Sequence, residues 1–219
     1  MKKTMKKTIK FSGKDFARAI AAGRKFLNKA KATSFAIEIR DQFLVEVIEN
    51  KEENRTRAYL WASDNYRAAR VEIPVFDAEG GSFVAAIHNP VFTPAAGTHV
   101  TIELGTMNKE RVATLTYHEY GATFSTKQPK RGEVSAKDQL KVLKDYLEQS
   151  IKANPKAKQN VNSRYLKEAL EAVLICNGNV KIPVSLAMCG VLSPILLRGA
   201  DIDAIVLPTR ASVGNGKDD

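Results

Sequence analysis

The chain of 219 residues carries 34 Lys and Arg against 24 Asp and Glu, and its formal net charge of +10 favours a polyanionic partner. A hydrophobic content of 44% excludes a wholly disordered chain. The most apolar stretch, residues 180–197, contains Pro183, Gly190 and Pro194, which suit two strands and a turn, so we expect no membrane span.

The N-terminus bears on both the compartment and the first predicted elements. Its ten residues are basic like the start of a signal peptide, but the polar segment from Ser12 to Asp15 stands where an apolar region would be needed. We therefore expect a cytoplasmic protein. A short strand is predicted over residues 9–11, and Ser12 with Asp15 three residues later forms a capping-box-like helix start.

The first predicted helix, from about residue 14 to residue 28, has two faces of opposite character. One face is an apolar stripe that we expect to pack against the core: Phe16, Ile20, Gly23 and Leu27. The other face, which we call the basic stripe, carries four cations without an intervening carboxylate: Lys14, Arg18, Lys25 and Lys29. Such a directed field indicates contact with DNA phosphates. The alternative is a solvated surface that is merely positive.

Alternating apolar patterns after this helix predict two sheet units. The first unit is completed by strands over residues 35–39, 43–48 and 56–75, with a polar turn at residues 50–55. The second unit has predicted strands near residues 82–87, 100–104, 112–117 and 122–125. It leaves little room for a helix around residues 89–92, because Pro90 and Pro94 interrupt helices.

The last third of the chain repeats the pattern of a helix followed by strands. Ser135 and Asp138 indicate the start of a helix that runs to about residue 152, and a second helix is predicted over residues 164–174. Strands are predicted near residues 180–188, 191–197 and 204–207. Residues 12–20 and 162–170 match in cap, basic residue and apolar positions, which indicates an internal repeat. The predicted architecture is α+β, with helices on one sheet face.

Three short motifs stand in order along the chain: Trp-Ala-Ser-Asp-Asn-Tyr-Arg-Ala-Ala at residues 61–69, Asn-Ser-Arg-Tyr-Leu at residues 162–166 and Ile-Val-Leu-Pro-Thr-Arg at residues 205–210. They resemble the Ala-Thr-Asp-Gly-His-Arg-Leu-Ala segment, the Asn-x-x-Tyr-Leu helix and the closing Val-Met-Pro-x-Arg of the bacterial sliding clamps, the β subunit of DNA polymerase III. Residues 192–198 resemble the strand that follows that helix in the family. The chain departs from these motifs at Asn65, Tyr66, Ala68 and Thr209, and in its high positive charge.

The resemblance implies a DNA-clamp fold of repeated half-domains, each a helix with an antiparallel sheet, in shortened form. Residues 8–127 correspond to one full clamp domain and residues 160–210 to the second half of another. The resulting division is a clamp-like domain of two half-domains (1–130), a linker with a helix (131–160), a half-domain (161–211) and a disordered tail (212–219).

The function implied is that of a DNA polymerase processivity factor that encircles duplex DNA as a homo-oligomeric ring of three or four copies. Peptides of a polymerase and a clamp loader would bind an apolar groove at Tyr66, Arg67, Leu207 and Pro208. The alternative is that this proline and its strand simply close the sheet. Two rival functions remain open: a DNA-binding protein that forms no ring, and a peptide-binding adaptor that competes for clamp partners.

Catalytic chemistry finds little support in the sequence. His88, His99 and His118 lie in or beside predicted strands, without a nucleophile motif or metal-ligand spacing, so we expect structural histidines, no enzyme activity, no metal and no cofactor. Cys176 and Cys189 lack CxxC spacing and are expected to be buried thiols. Trp61 is expected to lie in the core.

Overall fold

The computed structural model describes residues 6–27, 42–64, 66–90, 93–128, 135–152, 161–178, 184–188 and 194–208. Within these ranges the chain forms three α-helices and twelve strands in two antiparallel sheets, so the predicted α+β class is confirmed. No helix in the described ranges is long and apolar enough to cross a membrane. The strand predicted at residues 35–39, Lys29, Cys189 and the predicted tail lie outside the described residues.

The helices begin where the sequence signals predict. The first is α1 (Gly13–Gly23), which a 3-10 turn at Arg24–Phe26 continues, followed by α2 (Ala136–Lys152) and α3 (Ser163–Cys176). The hydroxyl of Ser12 accepts a hydrogen bond from the Asp15 N–H at 3.1 Å, and Ser135 caps Asp138 in the same way at 3.2 Å. The end of α1 differs from the prediction, because the helix tightens at Arg24 and buries Phe26.

The strands follow the predicted order with adjusted bounds. They are β1 (Lys7–Ser12), β2 (Gln42–Asn50), β3 (Arg55–Ser63), β4 (Arg67–Ile73), β5 (Val75–Glu79), β6 (Phe83–His88), β7 (His99–Met107), β8 (Glu110–Tyr117), β9 (Ala122–Lys127), β10 (Ser185–Met188), β11 (Ile195–Arg198) and β12 (Ile202–Val206). The long predicted strand 56–75 is therefore divided at the turn between β3 and β4. Between β6 and β7 the described residues contain no helix.

Each sheet contains strands of both units predicted before residue 130. The first sheet has the order β5-β1-β7-β8-β9, and the second sheet has the order β10-β11-β12-β4-β3-β2-β6. Strand β1, which leads into α1, pairs with β7 of the following unit, whereas β6 of that unit pairs back with β2. This reciprocal exchange interlocks the two units predicted before residue 130.

The second sheet joins two distant parts of the chain edge to edge. Strand β12 pairs antiparallel with β4, from Ile202 opposite Val71 to Val206 opposite Arg67. The ladder continues into the next turn, where the Leu207 N–H donates to the Tyr66 carbonyl oxygen at 2.8 Å. The C-terminal strands therefore extend the sheet of β2, β3 and β4 without a break.

The second sheet is buried on both faces. On one face α1 and α3 pack against alternate strand residues such as Phe43, Leu60 and Val206. On the opposite face α2 packs through Ala136, Leu140, Leu143 and Leu147. The expectation that helices lie on one sheet face is thus wrong for α2. Helical periodicity identifies the apolar stripe of α2, but it does not show which sheet face receives that stripe.

Candidate nucleic-acid and partner interface

The basic stripe of α1 divides into exposed and paired cations. Lys14 is exposed, and its ammonium has no ion-pair partner in the described part of the chain. Lys25 lies 2.7 Å from a carboxylate oxygen of Glu171 on α3. The hydrogen bond from Lys25 is the main reason why the pKa of Glu171 lies below its ordinary value. Position 25 therefore contributes to the contact between α1 and α3.

Arg18 is also committed to contacts within the chain. Its guanidinium donates to the carbonyl oxygen of Cys176, at the C-terminus of α3, over 3.1 Å. It also lies 3.2 Å from a carboxylate oxygen of Asp201, in the turn before β12. A cation at a helix C-terminus is favourably placed in the field of the helix dipole. Arg18 thus ties α1 to α3 and to the last strand, contacts that local sequence spacing does not reveal.

All four residues predicted for partner peptides lie at the β4–β12 junction, and Tyr66, Leu207 and Pro208 are the three that keep exposed surface. Tyr66 is 55% exposed, and its ring stacks on Tyr165 of α3 with centroids 5.8 Å apart. The backbone of Leu207 bonds to that of Tyr66, and Leu207 and Pro208 are half-buried beside it. Tyr165 was not among the predicted site residues, although it is the tyrosine of the Asn-x-x-Tyr-Leu motif.

Arg67 occupies the interior of this junction. Its side chain is 6% exposed, its Nε donates to Asp64 at 2.9 Å, and it forms a second ion pair with Glu168 of α3. The guanidinium also lies over the ring of Tyr165, 4.6 Å from the centroid. Arg67 therefore holds the turn before β4 against α3 and offers little surface to a peptide.

Glu168 is the second carboxylate paired with Arg67, and it also pairs with Arg164. Burial raises the pKa of its carboxyl, but hydrogen bonds from Arg67 and Arg164 outweigh that effect, so the pKa lies below its ordinary value. The carboxylate is consequently the form that the fold stabilises at neutral pH. No local motif identifies Glu168, because its partner Arg67 is distant in sequence.

An apolar area that we call the α2 strip borders Tyr66 and Leu207 on the face opposite α1. Its sheet residues are Leu44, Trp61, Ala68, Ala86, Leu196 and Ile205, all buried under α2. Ala68 and Ile205 are direct cross-strand partners, each two residues from the Tyr66–Leu207 hydrogen bond. Trp61 lies in this core, as predicted.

One carboxylate lies at the edge of the α2 strip. Glu46 is 6% exposed, accepts a hydrogen bond from the indole N–H of Trp61 at 3.1 Å and forms an ion pair with Lys144 of α2. A buried carboxylate needs such partners, because an unpaired charge in an apolar environment is costly. Lys144 therefore fixes the position of α2 on the sheet.

The remaining chemistry-bearing residues are dispersed. The His118 Nε2 lies 2.7 Å from the Thr101 hydroxyl, and the ring of His99 packs against Phe76. Burial raises the pKa of the Cys176 thiol to about 12, so its thiolate is disfavoured at neutral pH. Within the described ranges, no three His, Cys, Asp or Glu side chains are grouped to hold a metal ion.

Solved structures identify the fold. The β subunit of DNA polymerase III from Thermotoga maritima has a TM-score of 0.58 and 12% identity, over 94% of this chain and 65% of its own. A putative β subunit from Eubacterium rectale has a TM-score of 0.60 and 12% identity, over 93% and 65%. The DNA polymerase sliding clamp of Pseudomonas aeruginosa has a TM-score of 0.56 and 15% identity, over 93% and 66%.

These likenesses confirm the predicted DNA-clamp fold. This chain spans about two thirds of the length of each clamp, which agrees with a shortened form. No protein-family model matches the sequence. No curated protein matches it either.

Proposed function

We propose that this clamp-fold chain is a non-enzymatic subunit whose copies join edge to edge around duplex DNA and which also binds peptides of replication proteins. The observation that supports this most directly is the β4–β12 junction. There, strands from distant parts of the chain form one sheet, and α1 and α3 pack side by side on the same face. Backbone pairing of this kind does not require a covalent link, so two chains can join in the same way.

The edges of the sheets are not equivalent for such joining. At the β6 edge, the side chain of Gln128 accepts from the Ala86 N–H and donates to the Ala86 carbonyl oxygen, both at 2.8 Å. The His88 N–H next to it donates to the Thr126 hydroxyl at 3.1 Å. Side chains of the same chain thus form the hydrogen bonds that these backbone groups of β6 could otherwise offer to another strand. Strand β10 ends the other side of the described second sheet, where Leu186 is 45% exposed, and we propose this edge for contact with another copy.

Charge supports DNA as the encircled partner. The net charge of +10 attracts a polyanion, and Lys14 of α1 together with Arg164 and Lys167 of α3 places exposed cations on the two neighbouring helices. Arg164 and Lys167 each have a carboxylate partner one turn later, which weakens their field. Contacts of this kind hold phosphates without reading bases, so retention would come from the closed ring.

Two narrower functions compete with the ring. A DNA-binding protein of this fold that forms no ring would bind DNA through its positive charge, but it would not be held on a circular DNA molecule at high salt. A peptide-binding adaptor would use the surface around Tyr66 and Leu207 and never hold DNA. In all three cases we propose no catalysis and no cofactor, and a role on DNA fits the cytoplasmic location expected from the sequence.

The proposed encirclement can be separated from simple charge attraction. Subunits are assembled at low salt on a nicked circular plasmid and on the same plasmid after linearisation, and both are then passed through gel filtration at high salt. We expect retention on the circle and release from the linear molecule, because only topology resists salt. Equal release from both would favour the DNA-binding protein without a ring, and no binding at low salt would favour the adaptor.

A further inference from the structure

The α2 strip accepts an amphipathic helix, and in this structure that helix belongs to the chain itself. We propose that the strip is a docking surface for an amphipathic helix of a partner protein and that α2 occupies it in cis until the partner displaces it. This inference rests on the partner-binding part of the proposed function, and it adds the chemistry of the partner and the element that regulates access.

The apolar pattern of α2 defines what the strip recognises. Ala136, Leu140, Leu143 and Leu147 recur at helical spacing and face Leu44, Trp61 and Ile205 across the contact. The opposite side of α2 is largely charged, with Lys137, Lys141, Asp145 and Glu148 exposed. A competing helix must present the same narrow apolar stripe, as helices that bind grooves do.

The charge at Glu46 adds a second requirement. Its carboxylate is buried at the edge of the strip, where it binds the Trp61 indole and the Lys144 ammonium. Removing the cation would leave a buried negative charge without its counter-ion, which is strongly unfavourable. The partner helix must therefore carry Lys or Arg beside its third apolar residue, as Lys144 follows Leu143. Acidic helices are excluded by the same argument.

The position of the strip explains why α2 controls access. Ala68 and Ile205 lie under α2, and each is two residues from the turn where Tyr66 and Leu207 meet. If a partner segment binds at this turn and extends over the neighbouring sheet residues, it must compete with α2 for them. The helix also carries its own cap, since Ser135 and Asp138 bond to each other. Its start signal is thus retained when it leaves the sheet.

Trp61 provides a direct readout, because it is the only tryptophan of the chain and is 1% exposed beneath α2. Lys144→Glu places a second carboxylate opposite Glu46 and should release α2. Lys141→Glu makes the same change of charge on the exposed side of α2 and is the matched control. We expect a red-shifted emission and a several-fold increase in acrylamide quenching for Lys144→Glu, with wild-type values for Lys141→Glu.

A synthetic peptide of residues 135–152 then tests docking in trans. It should restore the shielded emission of the Lys144→Glu protein. It should also bind at least about tenfold more tightly than the same peptide carrying Lys144→Glu, because the variant peptide lacks the counter-ion of the buried Glu46 carboxylate. Shielded Trp61 in both variants would overturn the proposal. So would failure of the peptide to bind, or loss of the cooperative urea transition in Lys144→Glu, because α2 would then be an obligate part of the core.

The outcomes separate this proposal from the proposed ring. Trp61 emission is measured in a protein without DNA, whereas retention on circular DNA is measured without reference to Trp61. If α2 is released and rebound but the protein is not retained on circular DNA, the docking surface is supported and the ring is contradicted. If the protein is retained on circular DNA but α2 is not released, the ring is supported and the docking surface is contradicted.

Discussion

The ammonium of Lys25 lies 2.7 Å from a carboxylate oxygen of Glu171, so a cation predicted to hold phosphate is paired between two helices. Arg18 is similarly paired with Asp201. Lys14 differs, because it is exposed at the start of α1 and has no ion pair among the described residues. The DNA-binding proposal for the basic stripe therefore depends first on Lys14, and for Lys25 it requires that the pair with Glu171 open.

Lys14→Glu should weaken binding to duplex DNA and lower the slope of log K against log salt by about one for each phosphate that the protein no longer neutralises. Lys51→Glu, in the exposed turn between β2 and β3, makes the same change in net charge and serves as the control. The measurement is a salt series of fluorescence anisotropy titrations, with a scrambled duplex of equal length as a second ligand. Equal slopes for the two variants would leave position 14 as solvated surface.

Lys25→Glu should reduce stability, because it opposes two carboxylates where an ion pair now joins α1 to α3. Glu171→Lys in the same chain reverses the pair and should recover most of the decrease in urea midpoint. The double variant keeps the wild-type net charge, so its DNA affinity can be compared directly with that of the wild type. Failure of the reversal to recover stability would show that the two side chains are not coupled.

Arg67→Ala should cost about 3–5 kcal/mol of unfolding free energy, because it leaves the buried carboxylate of Asp64 without its partner. Asp64 is 4% exposed and Arg67 is 6% exposed, so solvent cannot replace the missing ion pair. Arg164→Ala is the matched control: this arginine also pairs with Glu168 but is 78% exposed, and its removal should cost less than about 1 kcal/mol. Urea denaturation gives both values, and similar costs would contradict the anchoring role of Arg67.

Glu168 should make stability depend on pH in the acidic range. The folded state lowers the pKa of this carboxyl, so its stabilisation is fully present above the ordinary glutamate value of about 4.3 and is lost as pH falls through the lower, folded value. The stability difference between the wild type and Glu168→Gln should therefore shrink between about pH 5 and pH 3. Chemical denaturation at several pH values measures it, and a constant difference would contradict the assignment.

Gln128→Glu should destabilise the β6 edge by about 1–3 kcal/mol, because a carboxylate cannot donate to the Ala86 carbonyl oxygen and would carry charge into a buried site. Gln149→Glu, on the exposed side of α2, is the control of equal charge. The urea midpoint should fall in the first variant alone. An unchanged midpoint would show that the bond from Gln128 to the Ala86 carbonyl oxygen does not stabilise this edge.

Local signals predicted the elements well. Ser12 with Asp15 and Ser135 with Asp138 mark the starts of α1 and α2, because a capping box lies within four residues and depends on nothing distant. The clamp fold followed from three short motifs whose order matches the observed strands and helix. The domain boundaries drawn from them stay a prediction.

Nonlocal contacts account for what the sequence could not predict. Arg18 has a local partner in Asp15, and the turn before β12 brings Asp201 to it as a second carboxylate. The carboxylate partner of Lys25 is Glu171, which α3 supplies. Arg67 belongs to a clamp motif, yet its burial depends on Glu168 from another helix. The sheet face on which α2 packs is likewise determined by tertiary contacts and not by the sequence of α2 alone. Composition and periodicity predict the helix or strand to which a side chain belongs and the face on which it lies. The topology of the fold decides which distant side chains it contacts.

The mass of the protein in solution tests the ring most directly. Light scattering after gel filtration at micromolar concentration, on a sample freed of nucleic acid, gives the number of copies of the 24.1 kDa chain in one particle. Head-to-tail closure, in which the β10 edge meets a different strand edge of the next copy, predicts a mass three or four times that of the chain. This mass should not change with concentration once the ring has assembled. A mass of 24.1 kDa that stays the same when duplex DNA is added would contradict the ring.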